Sequence, residues 1–495
     1  MKNKDNNNLK NRPPIVVIMG HVDHGKSSIL EAIKDFRITS KESGGITQHI
    51  GAYQIEEQGK KITFIDTPGH EAFSQMRSRG AKIADIAILV IDASEGVKPQ
   101  TKEVVSLIKT LEVPVIVALN KIDKPDANPE KVKRELMKED LIVESMGGKI
   151  PSVEISAKTK KGIPELLEII LLVAELENLE VDESKSAEGI VIESYLDNFR
   201  GTTATLLVLN GTLKTGDIIG TPTAYTKIKS LEDFQKKNIK EASPSTPVIV
   251  FGFDEVPKVG EIFKSFKNIN EAKESVKLIE QGNEEFGELK EDQKVLNIIL
   301  KADVLGSLEA IEEILKSLPQ DKVIVRLLKS EVGNINESDV KLALTGKIKI
   351  IGFKVKSDIV AQKVLEREGI TVAIFDVIYE LLEAVRGLME KIVVAEEFRV
   401  DLGKMKVLAK FLDNKNRQII GGRATEGEIK KGTKIEVLRN DEIIGAGRMI
   451  SLQRNKKEAD SVSKGDECGI LFEGNVKIEA GDILSFFKEE RRKSL

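Results

Sequence analysis

Residues 20–27 read GHVDHGKS, which fits G-x-x-x-x-G-K-[ST]. A loop bounded by Gly20 and Gly25 can turn the backbone N–H groups of His21, Val22, Asp23 and His24 inward around phosphate oxygens. Lys26 adds a full positive charge for the β and γ phosphates, and the Ser27 hydroxyl is a ligand type suited to Mg²⁺. Asp66-Thr67-Pro68-Gly69-His70 supplies a second acidic position that can hold Mg²⁺ through water. It also supplies a glycine whose N–H can approach a terminal phosphate. Asn120-Lys121-Ile122-Asp123 ends in a carboxylate that only accepts. Guanine offers two adjacent donors on its N1 and N2 edge, whereas adenine has an acceptor at N1 and no N2 amine. The spacing therefore predicts selection of GTP over ATP, with Ser156-Ala157-Lys158 supporting the base from its other side. The expected ligands are GTP or GDP and Mg²⁺, the last held by Ser27 and Asp66.

These residues need strand ends to stand on. Residues 15–19, 62–66, 86–92, 115–120 and 152–155 are short apolar runs of the kind buried on both faces of a parallel sheet. Residues 27–36 show helical spacing, with Ile29, Leu30, Ile33 and Phe36 on one side. Asn128-Pro129 is a helix start signal, and residues 162–179 read as a closing helix. The alternation predicts a doubly wound sheet with every motif at the carboxyl ends of its strands, where ligands sit in such folds.

Composition bounds the rest. The chain has 495 residues, enough for about three or four domains. Lys plus Arg is 76 and Asp plus Glu is 80, so the net charge of −4 excludes a wholly basic nucleic-acid coat. One Cys excludes a disulfide framework and a Cys-based zinc site. The four His all lie at or before position 70, and no second ligand cluster accompanies His21, His24 and His49, which read as loop-shaping. No apolar run is long enough to span a membrane, so no membrane partner is expected and the chain is placed in the cytoplasm. Residues 1–12 read MKNKDNNNLKNR, net +3, and predict a disordered tail rather than a signal peptide.

The expected organisation is multidomain, α/β plus β. Residues 13–180 form the nucleotide domain, and 187–268, with β-branched runs and the turn signals Asn210-Gly211 and Thr215-Gly216-Asp217, a closed β-barrel. Residues 269–293 are a charged helical connector; within it, 271–292 carry eight acids against three lysines. Residues 294–376 return to strand–helix alternation and predict a layered α/β domain without nucleotide motifs. Residues 377–395 read as a connecting helix and 396–495 as a C-terminal β-barrel.

GHVDHGKS, GGITQHIGAY, DTPGHEAF, MRSRGA, NKIDKP and SAK together resemble the GTPase domain of the bacterial translation initiation factor 2 family, over nearly the whole first domain. DTPGH is shared by translational GTPases generally, and GGITQHIGAY narrows the match. The resemblance implies a P-loop GTPase in which Thr47 reaches Mg²⁺ and the γ-phosphate, Val22 and Ile46 form an apolar gate, and His70 orients the attacking water. Ser27 stands where Thr is commoner. Residues 188–229 resemble the second domain of translational GTPases, with Arg200-Gly201 in the ribosome-contacting loop. Lys301-Ala302-Asp303 and residues 306–310 resemble the factor's third domain. Residues 465–470 (GDECGI) resemble the last domain, which holds the formylmethionyl end of initiator tRNA. That likeness makes Arg423, Glu467, Cys468 and Gly469 the expected tRNA-binding residues, with Cys468 either a small pocket wall or a buried core side chain. Gly422-Arg423 replaces a usual Cys-Tyr pair and Asn455 a usual Phe, which implies modest discrimination for the formylated end.

The implied activity is ribosome-stimulated GTP hydrolysis by a monomer that brings formylmethionyl initiator tRNA to the 30S subunit and promotes joining of the 50S subunit, alongside other initiation factors. The family's long N-terminal extension is expected to be absent. Two other readings are another tRNA-delivering translational GTPase, which the domain order disfavours, and a ribosome-binding GTP switch with little hydrolysis. Lys26, Thr47 and His70, all intact, argue against the switch.

Overall fold

A computed structural model of the protein describes residues 9–33, 47–276, 293–346, 348–394, 397–414, 416–439, 442–455 and 457–491. The chain divides into two compact units, Met1–Arg386 and Gly387–Leu495.

The first unit opens with a six-stranded sheet in the order Gly51–Glu57, Lys60–Asp66, Ile15–Gly20, Ile86–Asp92, Val115–Asn120, Ser152–Glu154. The first pair is antiparallel and the other neighbours run parallel. Every residue of Ile15–Gly20 and Ile86–Asp92 is buried, which explains why these strands read as unbroken apolar runs. Helices Lys26–Ile33 and Ile163–Leu176 pack against one face, and their Ile29, Leu166 and Ile170 share a core with Val16, Ile88 and Ile116. Asn128 caps Pro129–Lys138 as expected, its side chain accepting from the Lys131 N–H at 3.0 Å.

Two features depart from the sequence expectation. The strand Gly51–Glu57 was not anticipated. It forms a hairpin through Gln58 and Gly59, both at positive φ (50° and 78°). The disordered tail expected over residues 1–12 is also corrected at its end. Leu9–Asn11 pairs antiparallel with Glu180–Asp182, and Arg12 forks onto Asp85 at 2.6 and 2.7 Å. A bidentate guanidinium–carboxylate contact at a half-buried site is strong enough to fix a chain end. Residues 1–8 lie outside the described residues.

The barrel follows an antiparallel path in which Glu188–Asp197 pairs with Gly201–Asn210 and Ile262–Phe266, and Gly201–Asn210 continues to Pro247–Phe251. Val191, Leu206, Val208, Val250 and Phe263 fill it. Asn268 caps the short helix Ile269–Ser275; the remainder of the expected connector, 277–292, lies outside the described residues. A fully parallel four-stranded sheet comes next, ordered Val323–Val332, Lys294–Ala302, Ile348–Phe353, Val372–Phe375. The helices Leu305–Ser317, Glu337–Leu344 and Ile359–Glu368 connect its strands in right order for a layered α/β domain. Helix Ile378–Val394 begins in the first unit and ends in the second.

The second unit is a closed six-stranded antiparallel barrel. Its circuit runs Glu397–Asn414, Ile483–Arg491, Lys434–Arg439, Glu442–Arg454, Glu467–Gly474, Arg417–Lys430 and back to the first strand. Met405, Ile420, Ile470, Phe472 and Phe486 fill the interior. Among the described residues, closure leaves no long sheet edge exposed.

Candidate functional site

Both glycines of the first motif are dictated by close approach. Gly20 has φ +150°, and a Cβ there would lie 2.3 Å from the Val90 carbonyl oxygen. Gly25 has φ +93°, and a Cβ would lie 2.3 Å from Asn120 Nδ2. Asp23 and Lys121 also hold positive φ (60° and 63°), so the loop and its neighbour carry strained backbone at the same place. The Val22 N–H donates to Gln100 Oε1 at 3.2 Å. His24 is fully buried with Nδ1 3.4 Å from the Val90 oxygen. Burial, with repulsion from His21, lowers its pKa to about 4, so His24 is a neutral, shape-holding ring.

Lys26 is buried at the start of its helix, and Nζ donates to the His21 carbonyl at 2.8 Å. Burial pulls its pKa down to about 8 despite Asp66 nearby. A Cβ on Gly69 would lie 2.3 Å from that ammonium, so glycine keeps the space in front of it open. Ser27 Oγ lies 3.0 Å from Asp66 Oδ2 and 2.5 Å from Thr47 Oγ1. One carboxylate and two hydroxyls gathered this closely form a hard oxygen set of the kind Mg²⁺ takes, with waters completing its shell. A desolvated ammonium beside them is suited to an anion. The residues present therefore fit a magnesium-bound phosphate chain. Thr67 and Pro68 are turned the other way: Thr67 Oγ1 donates to the Ile18 carbonyl at 2.9 Å, and the Pro68 carbonyl accepts from Arg77 at 3.1 Å.

The base-side motif is tied to the loop. Asn120 Nδ2 donates to the His24 carbonyl at 2.9 Å, and its Oδ1 accepts from the Ala157 N–H at 3.1 Å. One amide thus joins the phosphate loop to the Ser156-Ala157-Lys158 turn. Lys121 donates to the Asp23 carbonyl. The Ile122 N–H donates to the Ile155 carbonyl at 3.3 Å. Ser156 Oγ donates to Asp123 Oδ1 at 2.6 Å, and this contact holds the exposed Asp123 carboxyl below the usual range. Lys158 is exposed beside it. Of the expected gate, Val22 borders the cleft, and Ile46 lies outside the described residues.

His70 lines the cleft with Lys26, Ser27 and Thr47. Its Nδ1 accepts from the Ala72 N–H at 2.8 Å, which leaves the proton of a neutral ring on Nε2. Burial lowers its pKa. Its ring centroid is 4.2 Å from that of Tyr379.

Sequence reasoning missed several supports. Asp92, buried at the end of its strand, pairs with Lys121 at 2.9 Å and Lys124 at 3.0 Å. Burial opposes its ionisation, but Ser94 and the two lysines more than offset this and hold it well below the usual range. Its place at a carboxyl strand end was the available signal. Arg77 is fully buried and braces the Pro68 and His70 carbonyls.

Residues 11–175 match the model of the elongation factor Tu GTP binding domain, 186–266 elongation factor G domain 2, 267–386 translation-initiation factor 2, and 402–485 elongation factor Tu domain 4. The translation initiation factor IF-2 of Roseiflexus castenholzii is 42% identical over 504 residues, covering 99% of this chain and 68% of that protein. The chain belongs to the translation initiation factor IF-2 family. The IF-2 proteins of Carboxydothermus hydrogenoformans and Desulforamulus reducens are 44% and 43% identical over 99% and 98% of the chain, which spans 61% and 51% of their length. A crystal structure of GDP-bound aIF5B from Aeropyrum pernix aligns over 96% of this chain and 92% of that one, with 26% identity and a TM-score of 0.47.

In this IF-2 family chain the expected tRNA-binding residues fall on two sides of the C-terminal barrel wall. Along Glu467–Gly474 side chains alternate, and Cys468 points inward with Ile470 and Phe472. Its Sγ lies 3.3 Å from Met405 Sδ, and burial pushes its pKa to about 11. Of the two readings of Cys468, pocket wall and buried core residue, the packing supports the second. Gly469 faces outward opposite Gly421, and a Cβ there would meet nothing nearer than 4.0 Å. Exposed Phe411 packs beside Gly421, and the ion pair Arg423–Glu467, 2.7 Å long, borders the same face. In the first barrel, Arg200 is not a free turn residue. It pairs with Glu232 at 2.8 Å and lies over the Phe251 ring at 4.7 Å.

Proposed function

We propose that this chain is a GTP-hydrolysing initiation factor that brings formylmethionyl initiator tRNA to the small ribosomal subunit and promotes subunit joining, with hydrolysis stimulated by the ribosome. The observation that carries the reading is the gathering of Lys26, Ser27, Thr47 and Asp66 at one end of the sheet, joined through Asn120 to Asp123, in a chain of the IF-2 family.

Each residue then has a distinct task. Backbone N–H groups of 23–27 and the Lys26 ammonium hold the phosphate chain at the N-terminus of helix Lys26–Ile33. Ser27 and Thr47 would hold Mg²⁺ directly and Asp66 through water. The ion neutralises charge that builds on the β and γ oxygens. Asp123, kept ionised by Ser156, accepts both donors of the guanine edge. Gly69 leaves room for the terminal phosphate. His70, with its proton on Nε2, orients the attacking water rather than removing its proton in this tautomer. On the C-terminal barrel, the outer face around Gly421 and Gly469, beside exposed Phe411, is the surface that takes the formylmethionyl end in this reading. Among the described residues no helix is long and apolar enough to cross a membrane, and we place the factor in the cytoplasm as a monomer.

The test is retention of labelled formylmethionyl-tRNA on 30S subunits with this protein and GTP, against GDP and against unformylated methionyl-tRNA. GTP-dependent retention that prefers the formylated form is expected. Retention indifferent to both nucleotide and formyl group contradicts the reading.

A further inference from the structure

The start of helix Ile378–Val394 is fastened to the nucleotide loops of the same unit. Gln48, next to Thr47, uses one side-chain amide twice: Nε2 donates to the Asp376 carbonyl at 3.1 Å, and Oε1 accepts from the Ile378 N–H at 3.4 Å. His49 adds a contact to Asp303 at 2.9 Å. These contacts fall at the carboxyl ends of the four-stranded parallel sheet, where folds of this kind usually bind ligands. Here that crevice takes a segment of the GTPase layer.

Ile378 is fully buried and anchors the first turn, while Tyr379, 45% exposed, reaches across to His70. The ring planes meet at 59° with centroids 4.2 Å apart. Phe73 closes another side of the imidazole at 6.1 Å, and Ala72 occupies Nδ1. The result is a His70 only 7% exposed. Nε2 binds in the ring plane, and a phenol packed against the imidazole holds the ring where it lies, so that it cannot turn further toward a water in the cleft. We infer that Tyr379 is a positioning residue that caps His70 and holds ribosome-free hydrolysis down, and that displacement of the helix start uncovers it. The clamp by Gln48 links that displacement to the segment carrying Thr47. This rests on the reading of His70 as the water-orienting group.

Single-turnover GTP hydrolysis by the full chain without ribosomes is the test, with GTP affinity measured alongside. Tyr379→Ala raises the hydrolysis rate by about three- to tenfold, the range that loss of one aromatic pair supports, with affinity within about twofold of the parent. Tyr379→Phe keeps the ring and the parent rate. The double variant His70→Ala/Tyr379→Ala shows no rise, because the gain acts through His70. Tyr379→Leu retains an apolar side chain at the helix start and gives the same rise, so it serves if the alanine variant melts early. A rate at or below the parent value in a variant that melts like the parent overturns the cap. If His70→Ala alone hydrolyses GTP at the parent rate on ribosomes, the role of His70 fails and the cap with it. A flat Tyr379 series with an inactive His70→Ala rejects the cap alone.

Discussion

Asp123 and His24 show how much a single side chain can decide. The Asp123 carboxylate accepts from Ser156 through Oδ1, and in the proposed function it also accepts from the guanine edge. In Asp123→Asn an amide can donate where the carboxylate accepted. GTP binding should weaken and xanthine nucleotides gain, by about 1–3 kcal/mol of discrimination. Competition binding that leaves guanine preference unchanged contradicts the role. His24 is a prediction about stability. Its folded pKa of about 4 lies below the unfolded value of 6.5. The unfolded chain therefore takes a proton that the folded loop refuses, and stability falls as pH drops from 6.5 towards 4, with no further loss below that. The full difference is about 3 kcal/mol, of which about 2 kcal/mol is lost by pH 5. Urea unfolding of the nucleotide-free protein at pH 7.5 and 5 checks it. The parent should lose stability relative to His24→Gln at the lower pH, and parallel behaviour of the two rejects the assignment.

At the scale of elements, legibility followed burial. Ile15–Gly20, Ile86–Asp92 and Val115–Asn120 were readable because central parallel strands are apolar on both faces. The edge strand Gly51–Glu57 buries little besides Ala52 and Ile55 and carries Glu56 and Glu57, so no apolar run announces it. Cys468 stayed between two roles although its burial was legible. The period of two along ECGILFEG puts Cys468, Ile470 and Phe472 on one face, whereas the motif resemblance points to a pocket wall. This changes which substitution is informative. Cys468→Trp overpacks a filled barrel and should destabilise it by about 1–3 kcal/mol or more, and so it does not report on binding. Gly469→Val places a side chain into open space on the outer face and suits a strand. It should leave the melting of the second unit near the parent value and remove the preference for formylated over unformylated methionyl-tRNA. The parent preference is expected to be about tenfold, or ~1.4 kcal/mol. Filter binding at one fixed salt concentration measures it. An unchanged preference in a folded variant rejects this face as the recognition surface.

Across the whole molecule, the order of layers was legible from composition and turn signals, and the joints between layers were not. Arg12 to Asp85, Gln48 to Asp376, His49 to Asp303 and Arg79 to Glu309 join residues up to several hundred positions apart, and no local period encodes such pairings. The same holds for Asp92 and Arg77, whose importance appears only once the strand ends and loops converge. Of these joints, the one from Gln48 connects the cleft to the start of helix Ile378–Val394, and hydrolysis is where that connection becomes measurable. The most direct test of the account is therefore the rate of GTP hydrolysis by the parent and His70→Ala, each with and without ribosomal subunits. The parent should be slow alone and strongly stimulated by ribosomes. His70→Ala should bind GTP within about threefold of the parent yet lose at least ~10² of the stimulated rate, the worth of one positioned catalytic group. A parent that ribosomes do not stimulate, or a His70→Ala variant that hydrolyses GTP as fast as the parent on ribosomes, contradicts it.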